Sequence, residues 1–271
     1  MDYIKENTDI IKSYYDNDAM MEWERTNESR IEYIITRKML SQYIKPGEKV
    51  FDIGGGPGRY STWLASQGCH VTLFDLSEEN IEFAKAKAKE LDLPLKTICG
   101  NALDESLYPD EKFDHILVMG PMYHLFNEKD RRKVIDNALL HLKKGGKIYI
   151  AFINLFAGVL YYLDQEKDGF KRQLEVDPVY GKCLIDNIGW NGMAFTEARF
   201  EAIPEIKRFC NSFGLKKVTL FGQEGFLGTY VAQVESLEEP HRSLYIDYAY
   251  KMCQLEDYLS MSSHIMYVGE M

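Results

Sequence analysis

Between residues 48 and 153, short apolar segments alternate with longer segments in which apolar residues recur every three or four positions. The short segments are typical of buried strands, and the longer ones are typical of helices with one apolar face. Because helices separate the strands, the pattern predicts a parallel sheet with helices on both faces. The predicted strands cover 49–53, 70–74, 95–99, 113–119 and 147–152, and the predicted helices cover 60–67, 78–91 and 128–142.

The regions on either side of this pattern are less regular. Residues 1–45 look helical, and residues 154–200 are rich in aromatic and turn residues. Further on, 203–213 predicts a helix and 216–221 a sixth strand, whereas 223–259 looks mostly helical. The last segment, 264–269, alternates like a seventh strand.

One stretch joins a strand to a glycine-rich turn. Gly54, Gly56 and Gly58 are spaced two apart after the first strand, and a helix follows from about residue 60. Glycine allows main-chain N–H groups to approach a ligand closely. About twenty residues on, the second strand ends in Asp75, the distance at which a nucleotide-binding βαβ unit places a carboxylate against a ribose. The stretch therefore predicts a site for a nucleoside-containing cofactor.

The spacing of the glycines distinguishes two cofactors. A dinucleotide turn of the form G-x-G-x-x-G needs its third glycine at position 59, where this chain has Arg59. Asp52 stands two residues before Gly54, and D-x-G-x-G-x-G resembles the first motif of the class I S-adenosylmethionine-dependent methyltransferases. The sequence GPMYHL at 120–125 resembles a G-P-L-Y-H-L segment in one bacterial group of these enzymes. The resemblance covers about 46–153.

The resemblance implies a fold class and a division of the chain. We expect an α/β protein with a Rossmann-like, doubly wound sheet of seven mostly parallel strands, the last strand antiparallel, plus helical cap insertions. The expected division is an N-terminal helical lid at 1–45, a cofactor-binding core at 46–153, a cap insertion at 154–202, and a C-terminal part of the core at 203–271 with a helical insertion at about 224–260.

The resemblance also implies which residues hold S-adenosylmethionine. Asp52 and the glycine turn face the methionyl part, Asp75 accepts from the ribose hydroxyls, and Leu76 lies on the adenine face. Many relatives have Asp at the position of Asn101, so the backbone after it is a second candidate for the adenine contact. The cofactor-binding residues that we predict are Asp52, Gly54, Gly55, Gly56, Gly58, Asp75, Leu76, Asn101, Ala102, Leu103 and Met119.

The acceptor side is less clearly marked, because the sulfonium already activates the methyl group and few catalytic residues are needed. His124 is either a base for the acceptor's proton or a structural histidine, and Tyr123 either lines the methyl site or packs. The predicted catalytic residues are His124 and Tyr123, and the predicted substrate-binding residues are Tyr15, Trp23, Tyr123 and Trp190. His264, in the last strand, we interpret as structural.

Composition limits the classes of methyl acceptor and the cellular locations that we expect. The chain has 271 residues, a net charge of −10 and five scattered cysteines without a C-x-x-C pair. An acidic surface repels phosphate backbones, so we expect a small-molecule acceptor and no nucleic acid. No zinc or redox motif occurs, and we expect no metal. The longest apolar run, 153–163, is about half a membrane span, and the N-terminus lacks a signal-peptide run, so we expect no membrane and a cytoplasmic protein.

Several alternatives stay open at this point. The segment after the fourth strand is not the [ND]-P-P-[YF] motif of amino-group methylation of bases, and it has neither a Pro-Cys nucleophile nor an acidic pair for magnesium. An RNA or protein methyltransferase is the main alternative, and it needs a basic surface near the strand ends. A NAD-linked oxidoreductase and a non-catalytic cofactor sensor are weaker ones. The sequence leaves the acceptor atom, O, N or S, and the oligomeric state undetermined.

Overall fold

A nine-stranded mixed sheet forms the centre of the protein, whose structure is a computed structural model describing residues 10–16, 19–25, 27, 30–166 and 168–271. Residues 1–9 of the expected lid lie outside the described residues. The strands are β1 (Lys49–Ile53), β2 (His70–Asp75), β3 (Leu95–Cys99), β4 (Phe113–Val118), β5 (Leu142–Asn154), β6 (Trp190–Met193), β7 (Glu197–Glu201), β8 (Lys216–Gly222) and β9 (His264–Glu270).

Seven of these strands form the expected doubly wound sheet. β3, β2, β1, β4 and β5 are neighbours in that order and pair in parallel. β9 pairs antiparallel with both β5 and β8, so β8 runs parallel to β5. The antiparallel last strand that the sequence predicts is therefore confirmed. The carboxyl ends of β1 to β5 and β8 meet at one edge of the sheet, and β9 begins at that same edge.

Helices cover both faces of the sheet, as the alternation of elements predicts. Residues 10–16 are helical. The labelled helices are α1 (Ala19–Arg25), α2 (Ile31–Tyr43), α3 (Arg59–Ser66), α4 (Glu78–Glu90), α5 (Glu128–Leu140), α6 (Ala157–Gln165), α7 (Gly169–Val176), α8 (Pro178–Asp186), α9 (Ile203–Asn211), α10 (Val231–Glu235) and α11 (His241–Met252). The side chain of Ser77 caps α4 by accepting from the N–H of Asn80 at 3.1 Å, the role that its sequence context predicts.

Alternating side chains of each strand pack into two apolar cores, one on each face of the sheet. Val50, Leu117 and Tyr149 pack on the face that carries α2, α3 and α11. Phe51 and Ile116, one residue before or after them in their strands, pack on the face that carries α5 and α9. Because successive strand residues point to opposite faces, a strand buried on both sides is apolar throughout, and this is the pattern in the sequence.

The cap differs from the helical insertion expected from the sequence. After α6, α7 and α8 the chain forms an antiparallel hairpin, β6 and β7, and β7 extends the main sheet by pairing with the last two residues of β5. Trp190, Ala198 and Phe200 on this hairpin pack against Tyr180 of α8. The aromatic-rich composition of this stretch thus builds a small core of its own. The division of the chain into lid, core, cap and C-terminal part stays a prediction.

No helix within the described part of the chain is both long enough and apolar enough to cross a lipid bilayer.

Ile116 offers a test of this core. Its side chain is fully buried in β4, so an Ile116→Ala substitution is expected to lower the free energy of unfolding by about 2–5 kcal/mol through lost burial and a cavity. The matched control is Ile185→Ala, whose side chain on α8 is exposed and whose loss costs less than about 0.5 kcal/mol. Urea unfolding followed by circular dichroism measures both. Equal effects at the two positions would contradict the placement of β4 at the centre of the sheet.

Candidate active site

A deep cavity opens at the edge of the sheet where the parallel strands end. It encloses about 1260 Å³ of empty space, part of it open to solvent. Its lining comes mainly from residues 10–16, α1, α2, the loops after β1 to β4 and after β8, Ala151 within β5, and the start of β9.

The glycine turn after β1 forms the floor of the cavity. Gly54, Gly56 and Gly58 have φ angles of +72°, +57° and +80°, which side-chain-bearing residues rarely adopt. A Cβ on Gly54 would lie 2.5 Å from Cδ of Pro121, and one on Gly55 would lie 2.4 Å from Cδ1 of Leu73. The turn is therefore restricted to glycine both by its dihedral angles and by close neighbours. Gly58 is the N-cap of α3 and packs outside the cavity lining.

Asp75, at the end of β2, holds the turn in place. Its Oδ2 accepts from the N–H of Gly56 at 2.8 Å, and its Oδ1 accepts from the N–H of Ser77 at 2.9 Å and from Nδ2 of Asn80 at 3.2 Å. Burial raises the pKa of this carboxyl, and these donors oppose the rise. A carboxylate has about four acceptor positions, so one remains free to accept from a ligand in the cavity.

Asp52 is the fourth of the five residues of β1, and it lines the cavity. Its Oδ2 accepts from the hydroxyl of Ser61 at 2.7 Å, whereas its buried Oδ1 has no hydrogen-bond partner among the residues that the structure describes. Burial raises the pKa of Asp52 to about 6, with the hydrogen bond from Ser61 opposing the rise. A buried carboxylate oxygen without a donor is costly, and a cationic donor entering the cavity would remove that cost.

The part of the cavity near the ends of β2 and β3 has a mostly apolar lining. Leu76, Asn101 and Ala102 line it, together with Phe74 and Gly100. Oδ1 of Asn101 accepts from the N–H of Leu103 at 2.9 Å and so orders the loop after β3, while Leu103 itself lies outside the lining and packs toward the core.

The opposite end is aromatic and contains His124. Its Nδ1 lies 3.2 Å from the backbone oxygen of Glu197 and donates to it, so Nε2 is the acceptor for the hydroxyl of Tyr15 at 2.7 Å. Burial lowers the pKa of His124 to about 4, so the ring is neutral at pH 7. The hydroxyl of Tyr123 donates to the backbone oxygen of Met119, and both residues line the cavity.

Comparison with known proteins identifies the core of the chain. The family model for the methyltransferase domain matches residues 50–146, which span the glycine turn, Asp75 and the loop that carries His124. A ubiquinone biosynthesis O-methyltransferase of Rickettsia felis is 33% identical over 131 residues, which is 48% of this chain and 51% of that protein. Residues 50–146 are a methyltransferase domain. The chain spans about half the length of the curated relatives that it matches.

Solved structures share the fold over a larger part of the chain. The magnesium protoporphyrin IX methyltransferase of Synechocystis PCC 6803, solved with bound S-adenosylhomocysteine, has a TM-score of 0.59 at 13% identity and covers 97% of this chain and 99% of its own. A SAM-dependent methyltransferase of Methanosarcina mazei has a TM-score of 0.56 at 18% identity, with 86% and 96% covered. These likenesses concern the fold, and they confirm the Rossmann-like class of the methyltransferase domain.

The structure brings most of the predicted site residues together in the cavity lining, but Gly58, Leu103 and the two tryptophans lie outside it. The ring of Trp190 is buried against Tyr180 and Phe200, and its Nε1 donates to Asp177 at 2.8 Å, so it belongs to the core of the cap. The ring of Trp23 lies under the guanidinium of Arg59, 4.4 Å from its Cζ, and outside the lining. Neither tryptophan contacts the cavity, and both placements correct the sequence expectation.

The sequence interpretation missed a charged cluster beside the methyltransferase domain. Glu22, Arg25, Glu32 and His264 line the cavity, and Glu224 is buried directly behind His264. They come from α1, α2, the loop after β8 and the start of β9. The available signal was topological: an antiparallel last strand must begin at the carboxyl edge of its parallel neighbours, so its first residue reaches the site.

The neutral state of His124 can be measured. Between pH 6.5 and 4 the unfolded chain binds a proton at this ring and the folded chain does not, so the free energy of unfolding falls as the pH decreases. The full loss is about 3 kcal/mol at this pKa difference. Urea unfolding from pH 7 to 4.5 should show a smaller loss for His124→Gln than for the unaltered chain. The exposed His70→Gln control keeps the original dependence, and parallel curves for all three proteins would show that His124 titrates normally.

Proposed function

We propose that this chain transfers a methyl group from S-adenosylmethionine to a small-molecule acceptor. The observation that supports this most is the pairing of Asp75 with the N–H of Gly56 beside the unpartnered Oδ1 of Asp52, at the cavity of a methyltransferase domain. The open acceptor position of Asp75 then suits a hydroxyl of a vicinal diol, and Oδ1 of Asp52 suits an ammonium group. Both groups are present in S-adenosylmethionine, at opposite ends of its ribosyl-methionine unit.

The proposed cofactor site uses residues of four loops. Asp75 would accept from a ribose hydroxyl at its open position, and Oδ1 of Asp52 would accept from the ammonium of the methionyl part. In the turn, the N–H of Gly55 would face its carboxylate, since the N–H of Gly54 donates to the backbone oxygen of Phe74 at 2.7 Å and that of Gly56 donates to Asp75 at 2.8 Å. The remaining proposed contacts, around the adenine and the sulfur, are Leu76, Asn101, Ala102 and Met119. Gly58 shapes the turn, and Leu103, outside the lining, supports the loop after β3 through its N–H to Asn101. When bound, the cofactor supplies a methyl group already activated by a sulfonium.

The acceptor would occupy the aromatic end of the cavity. Tyr15 and Tyr123 face it, and His124 accepts a hydrogen bond there without carrying a charge. We propose that His124 and Tyr123 orient the acceptor, since orientation of two reactants can contribute roughly 7–11 kcal/mol. The name of the Rickettsia felis relative, an O-methyltransferase of ubiquinone biosynthesis, favours a hydroxyl oxygen as the methylated atom.

Macromolecular acceptors receive less support. The chain carries a net charge of −10. Lys143 and Lys147 lie near the start of β5, at the opposite edge of the sheet from the cavity, and their ammonium groups pair with Asp114 at 2.8 Å and Glu270 at 3.1 Å. A basic groove beside the glycine turn, which an RNA substrate needs, is therefore not provided by these lysines. A metal-free reaction and a cytoplasmic location stay predictions.

The two aspartates give a direct test of the cofactor site. Asp52→Asn and Asp75→Asn should each weaken the binding of S-adenosylhomocysteine about 10- to 100-fold, since a hydrogen bond to a charged group contributes about 1.5–3 kcal/mol. The matched control is Asp114→Asn, whose carboxylate also accepts from a backbone N–H, that of Lys49 at 2.9 Å, but lies at the other end of the strands. Calorimetry measures all three affinities.

The pH dependence of cofactor binding distinguishes the contribution of Asp52 from that of Asp75. Because the pKa of Asp52 is about 6, its carboxylate becomes protonated as the pH falls through 6, and attraction for the cofactor's ammonium is lost. The unaltered chain should therefore bind more weakly at pH 5 than at pH 7, and Asp52→Asn should lack this part of the pH dependence. An Asp52→Asn protein with undiminished affinity would show that this carboxylate does not contact the cofactor.

Methyl transfer itself is tested by a panel of acceptors. Purified protein is incubated with S-adenosylmethionine and with phenols, carboxylic acids, amines or thiols, and formation of S-adenosylhomocysteine is measured. We expect turnover with at least one phenol, and at least tenfold slower turnover for Asp75→Asn at subsaturating cofactor. Binding of S-adenosylhomocysteine without turnover of any acceptor would favour a cofactor sensor, and absence of binding would reject the proposal.

A further inference from the structure

The charged cluster beside the cavity centres on a histidine paired with a buried carboxylate. Nδ1 of His264 lies 2.6 Å from Oε1 of Glu224, whose side chain is 5% exposed. The other oxygen of Glu224 accepts from the hydroxyl of Ser262 and from the N–H of His264 at 3.0 Å. Glu224 is thus held by three donors, and it fixes the orientation of the imidazole ring.

The sheet topology brings this pair to the acceptor side of the cavity. His264 is the first residue of β9 and lies opposite Ile153, near the carboxyl end of β5. Glu224 follows β8 by two residues. Asp75 stands at the end of β2, on the far side of β1 and β4 from this pair. The pair therefore flanks the cavity on the side away from the proposed ribose contact.

One ring nitrogen of His264 is left for a ligand. Because Nδ1 donates to Glu224, Nε2 carries the free lone pair of the neutral ring. No hydrogen bond to Nε2 is made by any described residue, and His264 lines the cavity. The arrangement is a histidine whose tautomer is set from behind by a carboxylate and whose second nitrogen is open to a bound molecule.

Three side chains here could each provide one ligand atom to a metal ion. The distances favour a proton shared between two of them over a bound ion. Glu32, Glu224 and His264 each offer one atom, all within 4.8 Å of one another. The 2.6 Å between Nδ1 and Oε1 has room for a shared proton and none for an ion between them. Glu32 is engaged as well, since Arg25 donates to it at 3.1 Å and to Glu22 at 2.9 Å.

We propose that His264 is the general base of the methyl transfer, taking the proton of the acceptor's hydroxyl at Nε2, with Glu224 as its positioning residue. This inference rests on the proposed function. The O–H bond of the acceptor breaks and its proton goes to Nε2. The electron pair left on oxygen forms the new O–C bond while the bond from carbon to the sulfonium sulfur breaks. The positive charge thus passes from the sulfonium to the imidazolium, where Glu224 and Glu32 stabilise it.

Charged neighbours make His264 a better base than His124. Burial lowers the pKa of His264 and so does Arg25 on α1, but Glu32 on α2 and Glu224 outweigh them and raise it. The pKa of His124, with burial unopposed by any carboxylate, is lowered to about 4. A base works best when its pKa is near the operating pH, and a ring with a pKa of about 4 holds a proton poorly at pH 7. His124 then remains the neutral hydrogen-bond acceptor.

The test compares His264→Gln and Glu224→Gln with His141→Gln. His141 also pairs with a carboxylate, Glu105 at 3.2 Å, and it lies outside the cavity lining. With catechol as acceptor, whose hydroxyls keep their protons at pH 7, His264→Gln should lower kcat at least 100-fold, while the affinity for S-adenosylhomocysteine and the melting temperature change little. His141→Gln should retain the original kcat. A kcat within threefold of the original for His264→Gln overturns the proposal.

A second measurement separates a base from a structural histidine. Histidine resonances, assigned by their loss in His264→Gln, are followed over pH by NMR in the complex with S-adenosylhomocysteine. His264 should bind its proton at least tenfold more weakly in Glu224→Gln, and the rise of kcat with pH should move to lower pH in parallel. An unchanged resonance or an unmoved pH profile in Glu224→Gln overturns the assignment.

The remaining outcomes distinguish this inference from the function on which it rests. Failure of the unaltered chain to bind S-adenosylhomocysteine rejects both. Binding with turnover of amines or thiols, but of no phenol, keeps the methyltransferase and overturns a base for a hydroxyl. If a chelator abolishes turnover and added Mg²⁺ or Mn²⁺ restores it in the unaltered chain but not in His264→Gln, the cluster is a metal site and the general base is overturned.

Discussion

The end of β2 is the point to which the rest of the site is attached. The carboxylate of Asp75 accepts from Gly56 in the turn after β1, and its backbone oxygen accepts from the N–H of Gly100 after β3 at 2.9 Å. The next residues continue this: the hydroxyl of Ser77 caps α4 and donates to Asp16 at 2.6 Å, which attaches the helical residues 10–16. Three loops and the N-terminal segment are thereby positioned by hydrogen bonds from one strand end.

The burial of the two carboxylates at this site costs free energy. The pKa of Asp52 at about 6 means that burial disfavours its charged form by about 3 kcal/mol relative to water. Asp75 is buried too, and burial also raises its pKa. A ligand that brings donors or a positive charge to these oxygens offsets that cost when it binds, so part of the affinity is prepared by the fold. This is the usual relation between a strained, preorganised site and the stability of its scaffold.

Much of the fold could be predicted from sequence because its signals are local. The seven strands of the doubly wound sheet follow from apolar runs, the glycine turn from its spacing, and the start of α4 from Ser77. The hairpin β6–β7 was missed, since Trp190 and Phe200 are as compatible with a helical cap as with a strand until they are known to be cross-strand partners that both contact Tyr180. Aromatic composition predicted apolar contact, but not whether the partner is a ligand or the cap itself.

The two histidines show where local reasoning ends. His124 stands in a motif and is easily found, yet its role depends on Glu197 and Tyr15, which are 73 and 109 residues away along the chain. His264 belongs to no motif. Its place in the last predicted strand led to its interpretation as a structural residue. What brings it to the cavity is the direction of β9: reversal of the last strand exchanges its two ends, so the residue that starts it lies at the edge where every parallel strand finishes.

The same reversal explains why charge accumulates at this corner. β8 and β9 are antiparallel neighbours, so the loop leaving β8 and the residues entering β9 must lie side by side, and Glu224 meets His264 and Ser262 there. The carboxylate and the imidazole satisfy each other at a depth where either alone would be expensive to bury. A pair so compensated can remain polar beside an otherwise aromatic cavity. That is the condition under which a proton could be moved there without water.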